Sequence, residues 1–266
     1  MAVPPYNPDR ENPMGLPRNV WSWHSDNLQR EMSVARWGFH GEPVLLFPTA
    51  GGDFLEAERY LMVRMLSPLI AAGRIKLYAC GSVSADGWMN GDAHPGQRAM
   101  LQEMFDRYLV RELVPFIRSE CDGYTHLIGA GASLGAYNAV NAAARHPDAF
   151  TQVVAMSGTF DFDKWQTKGD RWRDYDPAGD RTYYFHQPIR FLGGLRGELL
   201  DRLRAVRFCI ATGQGRWEEP AQSVRLHEVL ERKGVPSTLS LWGHDCDHDW
   251  PTWRTMLPMF LDKLVP

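Results

Sequence analysis

GAGASLGAYNAV, residues 129–140, is the stretch on which the reading of this chain turns. It overlaps a short apolar run, THLIGAG (125–131), that reads as a strand. It leads into Leu134 to Arg145, which reads as a helix stopped before Pro147. Between them, Gly131-Ala132-Ser133-Leu134-Gly135 sets a serine in G-x-S-x-G spacing. A serine on a sharp strand-to-helix turn sits in strained backbone, with strand and helix passing close by. A Cβ at Gly131 or Gly135 would run into that turn. The helix N-terminus aims free N–H groups at the serine and favours negative charge there. Ser133 is therefore a candidate nucleophile. A glycine-rich turn that only permits close packing is the plainer alternative, and the strand-before, helix-after context argues against it.

The same alternation extends in both directions. NVWSWHS (19–25) and MSVARWG (32–38) alternate apolar and polar residues, as an antiparallel pair with one covered face does. PVLLFPT (43–49), IKLYACGS (75–82), QVVAMSG (152–158), VRFCIATG (206–213) and STLSLWG (237–243) read as strands. Helical patterns lie between them at 55–72, 97–121, 221–233 and 251–264, with Pro115 a possible kink in the second. Residues 159–204 break the rhythm, with only a weak helix at 198–204, and read as a lid-like insertion. Two antiparallel strands followed by repeated β–α units predict a mostly parallel eight-stranded sheet with helices on both faces, in a single domain over 1–266. This layout resembles the α/β-hydrolase arrangement.

In that arrangement a triad runs in the order Ser, Asp or Glu, His. The histidine belongs in the loop after the last strand, where the chain reads HDCDHDW (244–250). His244 and His248 compete for the role. They are four apart, as metal-binding histidines on a helix are. Gly243 and Pro251 make the segment a loop, so no metal is expected. The acid should follow the strand VRFCIATG, where GQGRWEEPAQS (213–223) offers Glu218 and Glu219. Glu218 is preferred; a first-turn acid pair for the next helix is the structural alternative for both. Asp176 and Asp180 in the insertion are weaker candidates. An oxyanion hole needs two converging N–H groups: that of Leu134, and one from PTAGGDF (48–54), with Gly51 preferred over Ala50 and Gly52.

PTAGG, GASLGAYNAV, MSG and HDWPTWRTML together resemble the "Putative esterase" family of α/β-hydrolases, from about residue 40 onward. That family includes esterase D-type enzymes, feruloyl and acetylxylan esterases and mycolyltransferases. The match of His248-Asp249-Trp250-Pro251-Thr252-Trp253 to an H-x-W-x-x-W ending implies that His248 is the base and His244 a neighbour. The chain departs from the family at Arg216, where many relatives carry aspartate. The resemblance implies a serine carboxylic ester hydrolase acting on a small-molecule ester through an acyl-enzyme, with no cofactor. An acyltransferase using the same site and a catalytically silent binding protein are the alternatives. Trp88, Asn90, Trp165 and Trp172 are candidate substrate-binding residues.

Bulk properties exclude other classes. A net charge of −3 with no long basic run gives no reason to expect nucleic acid or an anionic membrane as partner. The N-terminus is polar and proline-rich, and no apolar run approaches a membrane span. Four cysteines far apart, without CxxC spacing, suit reduced thiols and a cytoplasmic location. The sequence does not indicate an oligomeric state.

Overall fold

Alternate residues along the central strands face opposite sides of the sheet, and both sides are apolar. In PVLLF, Val44 and Leu46 join one core while Leu45 and Phe47 join the other. A strand that is apolar at every position needs cover on both faces, which only a central place in a helix-covered sheet supplies. The computed structural model describes residues 12, 15–123, 126–162, 172 and 174–266.

The sheet has eight strands: β1 (Arg18–Ser25), β2 (Arg30–Trp37), β3 (Glu42–Phe47), β4 (Ile75–Cys80), β5 (Ile128–Ala132), β6 (Gln152–Met156), β7 (Arg207–Thr212) and β8 (Ser237–Leu241). Their order is β1-β2-β4-β3-β5-β6-β7-β8. β2 pairs antiparallel with β1 and β4; every other pairing is parallel. The expected eight-stranded, mostly parallel α/β sheet is thus the observed one.

Helices α1 (Glu56–Arg59) and α2 (Met62–Ala71) follow β3. They stand where the sequence predicts one helix, because Leu61 takes a left-handed conformation at φ 66° and breaks it. α3 (Pro95–Tyr108) is capped by His94 and Gln97 and runs into a π-helical turn, Leu109–Leu113, then α4 (Val114–Ser119). Pro115 has no N–H to return to the carbonyl of Arg111, and the wider turn just before it absorbs the mismatch. α5 (Leu134–Arg145) follows β5.

Between β6 and β7 the described residues hold α6 (Arg181–Phe185), α7 (Pro188–Gly194) and α8 (Glu198–Leu203), of which the sequence indicates only the last. Helices this short show no full period of apolar residues. Asp180 caps α6, Pro188 opens α7, and buried Tyr183, Phe191, Leu192, Leu200 and Leu203 pin them to the core. α9 (Pro220–Arg232) and α10 (Trp250–Leu264) complete the chain. α2 and α10 cover one face; α3, α4, α5 and α9 cover the other. Among the described residues, no helix is long and apolar enough to cross a membrane.

Candidate active site

All the parallel strands end on one edge of the sheet, and the loops there carry the reactive side chains. Ser133 joins β5 to α5 at φ 54° and ψ −121°, a costly conformation for a residue with a Cβ. Its N–H donates to Met156 O at 2.9 Å, which ties the turn to β6. The two glycines of the motif are sterically required. A Cβ on Gly131 would enter the backbone of Gly135, and one on Gly135 would enter the carbonyl of Phe47 in β3.

The loops after β7 and β8 are bonded to each other. Gly215 N–H donates to Cys246 O at 2.9 Å, and Arg216 N–H to Asp247 Oδ1 at 2.7 Å. His248 N–H donates to Arg216 O at 3.0 Å. Asp249 caps α10 by accepting from Trp250 N–H. The His248 ring stands edge-on to Trp253 at 5.1 Å. So held, its Nε2 lies 3.0 Å from Ser133 Oγ and its Nδ1 lies 3.3 Å from Glu218 Oε2. His244 instead sets Nδ1 3.2 Å from Gln214 O.

The Glu218 side chain is 1 % exposed and is met by donors on every side. Ser157 Oγ donates to Oε1 at 2.6 Å and Gly213 N–H to the same oxygen at 3.2 Å. Thr212 Oγ1 donates to Oε2 at 3.1 Å. Burial pushes the carboxyl pKa up, but hydrogen bonds from His248, Ser157 and Gly213 outweigh it and hold the group below the ordinary glutamate range. Trp253 Nε1 donates to Ser157 Oγ at 3.1 Å, which commits the serine's own hydrogen to Glu218. The sequence reading passed over Ser157 and Thr212; the MSG that ends its strand was the available signal.

A cavity of about 220 Å³ opens on Ser133 and His248, and Ala50, Met89, Thr159, Trp217 and Glu219 also line it. Leu134, as the first residue of α5, has an N–H with no intrahelical acceptor. The Gly51 N–H, expected as the second oxyanion donor, is turned back onto Thr49 O at 2.9 Å, and Gly52 N–H reaches the same carbonyl at 3.3 Å. Buried Glu56 fixes that turn by accepting from Thr49 N–H at 2.7 Å and Thr49 Oγ1 at 2.6 Å.

The other sequence candidates fall elsewhere. Trp88 is 2 % exposed and stacks on Phe162 at 4.6 Å, so it is core rather than pocket wall. Asn90 bonds the N–H groups of Asp92 and Ala93, shaping the loop next to Met89. Trp172 donates to Gly91 O at 3.4 Å and meets His94 edge-on. Trp165 lies outside the described residues. Asp180 is spent on capping α6, and Asp176 on the N–H of Ala178. Among the described residues, no three His, Cys, Asp or Glu side chains gather so as to hold a metal ion. A larger cavity, about 800 Å³, lies at the opposite edge of the sheet around Glu42, Arg74 and Lys76 and shares no residue with the serine site.

The fold recurs in solved structures. A ferulic acid esterase is similar at 16 % identity and a TM-score of 0.70, covering 94 % of this chain and 98 % of that one. The S-formylglutathione hydrolase of Staphylococcus aureus is similar at 14 % identity and 0.63, covering 94 % and 97 %. The S-formylglutathione hydrolase of Agrobacterium tumefaciens is similar at 15 % identity and 0.65, covering 92 % and 93 %. A comparison of the sequence with curated proteins finds no match. Residues 79–264, from the end of β4 to the end of α10, match the family described as "Putative esterase". With its eight-stranded sheet and its loop-borne serine and histidine, the chain belongs to that family and is an esterase of the α/β-hydrolase fold.

Proposed function

We propose that this esterase hydrolyses carboxylic esters through a Ser133–His248–Glu218 triad and an acyl-enzyme intermediate. The observation that carries the reading is the unbroken line of contacts, 3.0 Å from Ser133 Oγ to His248 Nε2 and 3.3 Å from His248 Nδ1 to Glu218. Ser133 Oγ attacks the acyl carbon while His248 Nε2 takes its proton. Glu218 accepts from Nδ1–H, holding the tautomer and stabilising the imidazolium. His248 then passes the proton to the departing alkoxide. Water enters, gives a proton to His248 and attacks the acyl carbon, and the acid leaves as Ser133 regains its hydrogen.

The oxyanion is received by the N–H of Leu134 and the N–H of Ala50. Ala50 takes the place first given to Gly51, because it lines the cavity while the Gly51 N–H is engaged. Each such donor is worth roughly 3 kcal/mol of transition-state stabilisation. Residues 163–171 and 173 lie outside the described residues, and the described part of 159–204 is the lid of a single domain. Its anchoring to the nucleophile helix supports this: Tyr137 OH donates to His186 O at 3.0 Å.

Ser133→Ala tests the assignment. It should abolish hydrolysis of short-chain p-nitrophenyl esters and labelling by a fluorophosphonate, with the thermal melt preserved. Activity surviving that change would sink the triad.

A further inference from the structure

Among the described residues, the segments 48–55, 81–94, 157–162, 213–219 and 242–249 at the active edge of the sheet carry nine carboxylates and one guanidinium, Arg216. That imbalance far exceeds the whole chain's net charge of −3. Part of it is neutralised from outside: Arg59 pairs with Asp53, Arg30 with Asp86 and Arg225 with Asp161. Arg216 itself is held by Asp247 at 3.0 Å. Among the described residues, Glu219, Asp245 and Asp249 have no cation partner. Glu219 is the one of these that lines the cavity of Ser133.

Beside it in the same cavity lies Trp217, the one exposed tryptophan among the described residues, at 77 % exposure. Its backbone is held at φ 62°, a conformation a bulky side chain adopts only when its surroundings enforce it. The enforcing contacts lie on both sides: Arg216 is bonded to Asp247, and Glu218 is locked under Ser157 and Gly213. The ring therefore stands in solvent at the mouth of the site. One cation has already found it, the Arg216 guanidinium at 5.6 Å from the ring centroid. An indole face attracts ammonium and guanidinium groups through its quadrupole. A cleft lined by one sign of charge concentrates ligands of the other.

We propose that Trp217 and Glu219 form a cation subsite beside Ser133, and that the natural substrate is an ester bearing an ammonium group. The proposal rests on the esterase reading of Ser133. The ammonium lies against the indole face with the Glu219 carboxylate as counter-ion, and the ester carbonyl reaches Ser133 Oγ. Trp217 and Glu219 are specificity residues; they take no part in bond making.

Isosteric pairs test this with charge as the only variable. Acetylcholine, which carries the cation on the alcohol side, is compared with its neutral isostere 3,3-dimethylbutyl acetate. Betaine ethyl ester, which carries it on the acyl side, is compared with the neutral ethyl 3,3-dimethylbutanoate. Each kcat/KM is divided by the hydroxide hydrolysis rate of that ester. At least one corrected ratio should favour the cation by about fivefold or more. Trp217→Ala and Glu219→Gln should each pull that ratio towards one, and so should raising salt from roughly 20 mM to roughly 500 mM. Ratios below about fivefold in both pairs overturn the proposal, as does a high ratio that neither variant lowers. If a fluorophosphonate labels Ser133 but the neutral esters are preferred, the subsite alone has failed. If Ser133 is not labelled, the esterase reading has failed and the subsite with it.

Discussion

Replacing Glu218 by glutamine removes the charge behind His248 while keeping the side chain's length and nearly its volume. In the proposed mechanism Ser133 gives its proton to His248, forming an imidazolium whose Nδ1 is 3.3 Å from Glu218 Oε2. At an effective dielectric of about 20, two unit charges at that separation attract by about 5 kcal/mol. That corresponds to roughly 10³- to 10⁴-fold in rate, the scale on which amidation of a triad acid acts. The imidazole is 23 % exposed and so is partly screened, which places the expectation towards the lower figure. Stability should suffer as well. Ser157, Thr212 and Gly213 all donate to the carboxylate. An amide offers one oxygen to those three donors and sets an NH₂ against the rest, at a cost of about 1–3 kcal/mol. The assay is kcat and KM for p-nitrophenyl acetate between roughly pH 6 and pH 9, with a thermal melt on the same samples. The expected result is a loss of about 10³-fold or more in kcat, with little change in KM and the fold retained. Asp176→Asn, which alters only a loop acid, should leave kcat at the wild-type value. Retention of more than about a tenth of wild-type kcat/KM by the Glu218 variant would refute the electrostatic reasoning.

Two further outcomes follow from the hydrogen bonds around buried carboxylates. Ser157→Ala deletes one donor to Glu218, so the carboxylate holds the imidazolium proton more tightly. The acidic limb of the kcat/KM profile should move to higher pH, by up to about one unit; an unmoved or lowered limb contradicts this. Glu103 is bonded to His186 at 3.1 Å and Arg145 at 2.8 Å. The His186 hydrogen bond, against the effect of burial and with help from the Arg145 charge, holds the Glu103 pKa at about 2, below the usual 4.5. Because the folded value is the lower one, this stabilisation is in place above pH 4.5 and disappears as the pH falls through about 2. Glu103→Gln should therefore lose up to about 3 kcal/mol in urea unfolding at neutral pH and less than half of that near pH 3. Equal losses at the two pH values would show that the pair contributes nothing electrostatically.

Much of the fold was legible because it depends on short-range rules. The run PVLLF is apolar at every position, which requires a strand covered on both faces, and the structure places it as β3 between β4 and β5. Gly131 and Gly135 stand where backbones cross within van der Waals reach, so the turn is written in two residues without side chains. The misjudged elements are those where a contact overrode a local signal. Leu61 splits a helix whose pattern is continuous, and the helices at 181–185 and 188–194 are too short to show a period. Trp88 looked like a pocket residue in a glycine-rich loop, yet Phe162, Tyr137 and Tyr183 enclose it from other parts of the chain.

The division at the active site is the same. Sequence alone named a serine at a strand-to-helix turn, a histidine in the last loop and a choice of two glutamates, because motif and chain order constrain each segment separately. Which glutamate faces His248, that the Gly51 and Gly52 N–H groups turn back onto Thr49 O, and that Ser157 and Trp253 stand behind Glu218 were decided only by folding. Adjacent residues in a loop share composition and exposure, so nothing local separates Glu218 from Glu219. The difference arises when β6, β7 and α10 converge. One carboxylate turns inward to meet donors from Ser157, Thr212 and Gly213, and the other is left in the mouth of the cavity.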